Sequence, residues 1–128
     1  MHAQVRHMDP GAEVATPEGC FLNSLWDSDT DPDASMARVR VPPGVTTRWH
    51  LLTDITERYL LVAGAGSVEL AELPGQYVGP GDVVIIPPGC RRRITCVGDQ
   101  DLVLIALCTP RFQASAYRDV DPAPARTL

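Results

Sequence analysis

Lysine is absent from this chain of 128 residues, while arginine occurs eleven times. Schiff-base chemistry and lysine general bases are therefore excluded. Two origins of the arginine excess remain open: a compositional bias of the genome, or selection for planar guanidinium forks that grip carboxylates. Histidine is nearly as scarce, with only His2, His7 and His50. No C-x-x-C pair joins Cys20, Cys90, Cys96 and Cys108, and the opening stretch MHAQVRHMDPG has no apolar core of the kind a secretory signal needs. A cytoplasmic protein with reduced thiols is the expectation. The longest apolar run, Leu102 to Cys108, has the length of a buried strand and is far too short to span a bilayer. Basic surplus is missing too: the net charge is −5 and the pI about 5.0, so neither nucleic acid nor an anionic membrane surface is an expected partner.

What the chain does contain is strand-forming sequence with frequent punctuation. It is 45% hydrophobic, with a mean hydropathy of −0.03, and its 10 Gly and 12 Pro imply many turns in one soluble domain that can close its own core. Short β-rich runs follow one another: CFLNSLW, ASMARVRV, TTRWHLL, RYLLVAG, SVELAEL, QYVG, DVVIIP, RRITCV and DLVLIALC. No long helical pattern interrupts them. Such spacing predicts an all-β sandwich or closed barrel, an arrangement that removes exposed sheet edges. The expected layout is an N-terminal arm over residues 1–18 with at most one edge strand, formed within the chain or exchanged with a neighbour, a barrel over 19–111, and a tail over 112–128. In that tail FQASAYRDV suggests one short helix and DPAPARTL a frayed end.

The alternating Asp27, Asp29, Asp31 and Asp33 resemble the start of a calcium loop. An EF-hand needs Gly at its sixth position and Glu at its twelfth, where this chain has Pro32 and Arg38. A solvated acidic turn between two strands is the better reading.

Two longer patterns carry a family resemblance. Gly44, His50, Leu52, Glu57 and Gly64 stand at the spacings of G-x5-H-x-H-x4-E-x6-G, with Leu in place of the second His. Gly81, Pro87, Gly89, Arg92 and Cys96 match G-x5-P-x-G-x2-H-x3-N, with Arg and Cys in place of its His and Asn. In these spacings the chain resembles the cupins, small double-stranded β-helix or jelly-roll barrels, over about two-fifths of its length. In cupins with both motifs complete, two His, the Glu and the later His converge on one divalent metal, commonly iron, manganese, nickel, copper or zinc. The resemblance thus implies His50 and Glu57 as metal ligands or as catalytic acid and base, and places Leu52 and Arg92 where two further ligands should be. Neither leucine nor a guanidinium offers a lone pair. Two readings follow: a zinc, nickel, iron or manganese ion held weakly by His50 and Glu57, or a metal-free pocket in which Arg92 pairs with Glu57 and takes the space of the ion. His2 and His7 could complete the set only from the arm. Cys96 lies about 13 Å along the strand from Arg92 at ~3.3 Å per residue, too far to share its coordination site.

Strand parity supplies the expected pocket walls, since successive residues alternate faces. Thr46, Arg48, His50 and Leu52 form one strip; Glu57, Tyr59, Leu61 and Ala63 a second; Arg92, Ile94 and Cys96 a third. Within them Arg48, Tyr59, Arg92 and Cys96 are the candidate ligand-binding residues, a mix suited to a small carboxylated or hydroxylated molecule. Arg48 and Arg92 could instead serve only to neutralise Glu57. Trp49 falls on the opposite parity, on the outer side or at a subunit contact. Several strands are apolar on both faces, as at Leu60 and Val62, Val84 and Ile86, and Val103 and Ile105, which points to a homodimer packed sheet to sheet. The pair Gly64 and Gly66 reads as a hairpin turn. Functionally, the sequence supports a binding module for a small molecule or a cupin enzyme, metal-dependent or metal-independent, with oxygenase, isomerase, decarboxylase, lyase or cyclase-like chemistry.

Overall fold

The computed structural model describes residues 1–124. It is built of two antiparallel sheets with a core between them. Eleven strands occur among the described residues: β1 (Val14–Ala15), β2 (Phe21–Trp26), β3 (Ser35–Val41), β4 (His50–Leu52), β5 (Thr56–Ala63), β6 (Gly66–Leu70), β7 (Gln76–Val78), β8 (Val83–Ile86), β9 (Arg92–Cys96), β10 (Leu102–Thr109) and β11 (Tyr117–Asp119). One sheet has the order β1-β2-β3-β10-β5-β8, the other β11-β4-β9-β6-β7. All nine runs expected as strands are present. No helix among the described residues is long and apolar enough to cross a membrane.

The apolar run of β10 lies in the middle of the larger sheet, paired on one side with β3 and on the other with β5. That position leaves β10 with no free edge, and its residues Leu102, Val103, Leu104, Ala106 and Cys108 are buried. Leu102, Leu104 and Ala106 point into the core with Val41, Leu61, Val68, Val84, Ile86 and Ile94. The opposite face of this sheet is open, with Leu60, Val62, Val83 and Ile85 each roughly half exposed.

The motif glycines owe their spacing to the backbone. Gly44, Gly64, Gly81 and Gly89 all adopt positive φ, the left-handed region that favours glycine. Gly64 is under a second constraint, because a Cβ there would stand 2.4 Å from the carbonyl oxygen of Asp101. The expected hairpin at Gly64 and Gly66 is not one: β5 pairs with β10 and β8, whereas β6 pairs with β7 and β9. The chain turns a corner there from one sheet to the other.

Both ends of the described chain join the sheets. In the segment read as an arm, a turn at Pro10–Ala12 precedes β1, which pairs with β2 of the same chain. After Pro110, the short helix expected in FQASAYRDV is a single 3-10 turn at Ala114–Ala116, and the chain then continues as β11 along the free edge of β4. An open strand edge offers backbone partners that a lone helical turn lacks. Residues 125–128, part of the stretch expected to fray, lie outside the described residues.

The acidic stretch between β2 and β3 is a loop, as expected. Its carboxylates are used locally: Asp31 accepts from the indole N–H of Trp26, and Asp27 pairs with Arg111.

Candidate functional site

A cavity of about 470 Å³ opens between the sheets. Its lining combines strand residues with residues of both terminal segments, from Thr16 to Glu18 and from Phe112 to Asp119. Of the residues expected here, His50, Leu52, Glu57, Tyr59, Arg92 and Ile94 line it.

Arg48 and Cys96 do not belong to that lining, and this corrects the expected strips. The strand containing His50 begins only at His50, and the chain before it is irregular apart from one bridge from Thr46 to Thr95. Parity is therefore lost between positions 46 and 50. Thr47, not Thr46 or Arg48, faces the cavity. Arg48 is buried elsewhere. Its Nε donates to Asp119 Oδ2 at 2.8 Å, and its terminal nitrogens donate to the carbonyls of Ala123 at 2.7 Å and Pro124 at 2.8 Å. Cys96 keeps its strand parity but sits in the apolar core, its thiol donating to the Gln100 carbonyl at 3.0 Å. Trp49 is on the outer side, as expected, with the guanidinium groups of Arg91 and Arg93 stacked 4.7 and 4.8 Å from its ring centroid. Those two arginines are in turn paired with Glu72 and Glu69.

At the polar end of the cavity, β4 and β9 run side by side with His50 opposite Arg92. Arg92, 1% exposed, donates from Nη2 to Glu57 Oε1 and from Nη1 to the Cys90 carbonyl at 3.2 Å. Its Nε has no hydrogen-bond partner. The other oxygen of Glu57 accepts from the Cys108 thiol at 3.3 Å. Burial acts against the Arg92 charge, but Tyr59 and Glu57 outweigh it and hold the guanidinium pKa above its ordinary value. Burial, followed by the nearby Glu57 charge, raises the Tyr59 phenol well above its usual pKa. The same two influences raise the Cys108 thiol. Tyr59 and Cys108 are thus protonated donors at neutral pH.

His50 is fixed from three sides. Its Nδ1 lies 2.8 Å from the Arg48 carbonyl, and because a carbonyl can only accept, Nδ1 carries a proton. Its Nε2 lies 3.4 Å from Glu18 Oε1. Its ring stacks on Tyr117 with centroids 5.4 Å apart and planes 20° off parallel. Tyr117 comes from β11, and its phenol is pushed above its ordinary pKa by partial burial and then by the Glu18 charge. Glu18 also accepts from the thiol of Cys20, which burial, reinforced by that carboxylate, pushes up to about 12.

The divalent ion of a complete cupin motif does not fit these residues. Leu52 offers no donor, and one oxygen of Glu57 is engaged by Arg92, whose guanidinium stands where a ligand should be. Among the described residues no three His, Cys, Asp or Glu side chains are grouped to hold a metal.

Glu18, Thr47, Cys108, Tyr117 and Asp119 line the cavity as well, and the sequence reading missed all five. Cys108 was legible in principle, since it closes the apolar run of β10 on the inward parity of Leu104 and Ala106. Glu18 and Tyr117 lie outside the motif-bearing strands, and no local spacing marks them.

No protein-family model matches the chain, and no curated protein matches it in sequence. Its likeness to solved structures is clear. Pac13 from Streptomyces, described as a nucleoside dehydratase, superposes with a TM-score of 0.74 at 19% identity over 92% of each chain. KdgF from a Halomonas species gives 0.65 at 23% identity, covering 73% of this chain and 82% of its own. A double-stranded β-helix protein from Klebsiella pneumoniae gives 0.68 at 11% identity over 89% of each chain. With the two degenerate motifs and the two-sheet barrel, these likenesses establish that the chain folds as a small cupin-type double-stranded β-helix domain.

Proposed function

We propose that the chain is a metal-independent acid–base enzyme that acts on a small hydroxylated molecule held in the barrel, with loss of water from a β-hydroxy carbonyl compound as the reaction its geometry serves best. The observation that carries this reading is the setting of His50: Nδ1 is committed to the Arg48 carbonyl, so Nε2 is the nitrogen left for chemistry, beside Glu18. A lone pair on Nε2 can take the proton from the carbon next to a carbonyl, and the Glu18 carboxylate favours the imidazolium that results. As the carbon–oxygen bond at the neighbouring carbon breaks, the same imidazolium returns its proton to the departing hydroxyl. Water leaves and His50 is neutral again. Tyr59, kept protonated and lining the cavity, supplies an O–H donor for the carbonyl oxygen on which negative charge develops. Glu57 serves in this reading to hold Arg92, not to move a proton. The printed description of Pac13 as a nucleoside dehydratase supports the reaction class.

The test is a panel of β-hydroxy aldehydes and ketones incubated with the chain in D2O. Wild-type protein purified without nickel should exchange the acidic carbon-bound hydrogen and build up the conjugated carbonyl product, seen by its ultraviolet absorbance. His50→Gln should lose both signals, by about 100-fold or more for a general base. Turnover that appears only after zinc, nickel, iron or manganese is added would sink metal independence. A second reading, a non-catalytic binding module, is favoured by the mutual neutralisation of Glu57 and Arg92. It predicts ligand binding that survives in His50→Gln with no exchange in either protein.

A further inference from the structure

We propose that the ligand of this cavity is uncharged, a hydroxylated molecule of sugar or nucleoside size, and that its carboxylated or phosphorylated counterparts are rejected. This rests on the reading of the cavity as the ligand site and narrows the chemistry it accepts.

The inference follows from how the charges around the cavity are matched. Four carboxylates line it: Glu18, Asp27, Glu57 and Asp119. Three of them already have a guanidinium partner, Arg92 on Glu57, Arg48 on Asp119 at 2.8 Å and Arg111 on Asp27 at 2.7 Å. The fourth, Glu18, faces His50 Nε2 at 3.4 Å. With neutral imidazole the balance in the cavity is one negative charge, and with imidazolium it is zero. Neither state leaves an unpaired cation, among the described residues that line the cavity, for an anion to pair with.

Recruiting one of the arginines is costly. Arg92 is 1% exposed, and turning it toward a ligand anion would strand Glu57 as a buried charge with only a thiol donor. Arg48 would have to release Asp119 and two backbone carbonyls together. An anion would also be placed near Glu18. At about 6 Å and an effective dielectric of about 20, one such repulsion corresponds to roughly 100-fold in affinity.

What remains for a ligand is neutral hydrogen bonding and apolar contact. The Tyr59 and Tyr117 phenols are held protonated. The cavity lining also includes the apolar Leu22, Val39, Ile94 and Leu104, which can contact the carbon face of a ring. A volume of about 470 Å³ is in the range of small-molecule sites. The arginine-rich composition invited a carboxylate ligand. The pairing of the arginines at the cavity, Arg48, Arg92 and Arg111, argues against one.

Matched pairs of probes test the charge rule: uridine against uridine 5′-monophosphate, and methyl galactoside against galacturonate. Affinities come from calorimetry, and the site from chemical-shift changes of the His50 ring in the full chain. The expected result is that at least one neutral probe binds with a His50 response, that its anionic counterpart binds roughly 100-fold more weakly, and that Glu18→Gln removes most of that gap. The proposal is overturned if no neutral probe perturbs His50, if an anion binds as tightly as its neutral partner, or if Glu18→Gln leaves the gap unchanged. Tight anion binding at His50 would end the charge rule and leave the acid–base reading standing. Neutral binding with no carbon–hydrogen exchange anywhere in the β-hydroxy aldehyde and ketone panel would do the reverse.

Discussion

Arg92 and Glu57, 35 residues apart in sequence, meet as an ion pair inside the barrel, one from β9 and the other from β5. The pair occupies the end of the cavity where the motifs of a complete cupin would gather a metal. Its stability consequence is asymmetric. Removing one partner of a buried pair leaves an uncompensated charge at a cost of about 3–5 kcal/mol, whereas replacing both by apolar groups is often neutral. Arg92→Met should therefore lower the unfolding free energy by about that amount, a large part of the ~5–15 kcal/mol typical of a domain. The double change Arg92→Met with Glu57→Leu should recover most of the loss. Urea denaturation of the two variants beside the wild type measures this directly.

Restoring the two departed ligands should restore a metal. His50 is in place, Glu57 becomes free once Arg92 is gone, and the Leu52 and Arg92 positions both face the cavity. Leu52→His with Arg92→His is expected to bind one equivalent of zinc or nickel, since catalytic sites of this kind hold three or more protein donors. Wild-type protein treated identically should retain a substoichiometric amount. Elemental analysis after dialysis distinguishes the two, and equal loading would refute the reading of Arg92 as the ion's replacement.

Acid should loosen the C-terminal strand before it unfolds the barrel. The hydrogen bond from Arg48, followed by that from the Asp121 amide, holds the Asp119 carboxyl below the usual carboxylate range. A lowered folded pKa means stability that is present above the ordinary Asp value and lost as pH falls through the lowered one. Asp121, which caps the Trp49 amide, is lowered in the same sense. Below about pH 4, the ordinary Asp value, the amide signals of Tyr117 to Val120 should therefore begin to shift while those of β10 stay fixed. Asp119 is substantially exposed, so the stabilisation at stake is small and salt should reduce it.

The fold was legible because its determinants are local. Glycines at positive φ fix the corners between strands, and their spacing survives even where the ligands have changed. The apolar run of β10 announced a buried strand, and it lies in the middle of the larger sheet. The inner residues of β4, β5 and β9 followed from alternation wherever the strands are regular. Alternation failed before His50 because β4 is only three residues long, and the rule carries no information through an irregular lead-in. Glu18 and Tyr117 were illegible for another reason. They reach His50 from the two ends of the chain, and contacts between segments nearly a hundred residues apart leave no trace in local spacing.

Three consecutive arginines, Arg91 to Arg93, look like a small polycation in the sequence. In the folded chain each has its own carboxylate: Glu72 for Arg91, Glu57 for Arg92 and Glu69 for Arg93. Alternation along β9 sends the middle one inward and the outer two onto the faces of Trp49. The run is therefore close to electrically silent toward solvent. It should add almost nothing to retention on a heparin column, and a ligand approaching the molecule would meet the field of an acidic protein even there.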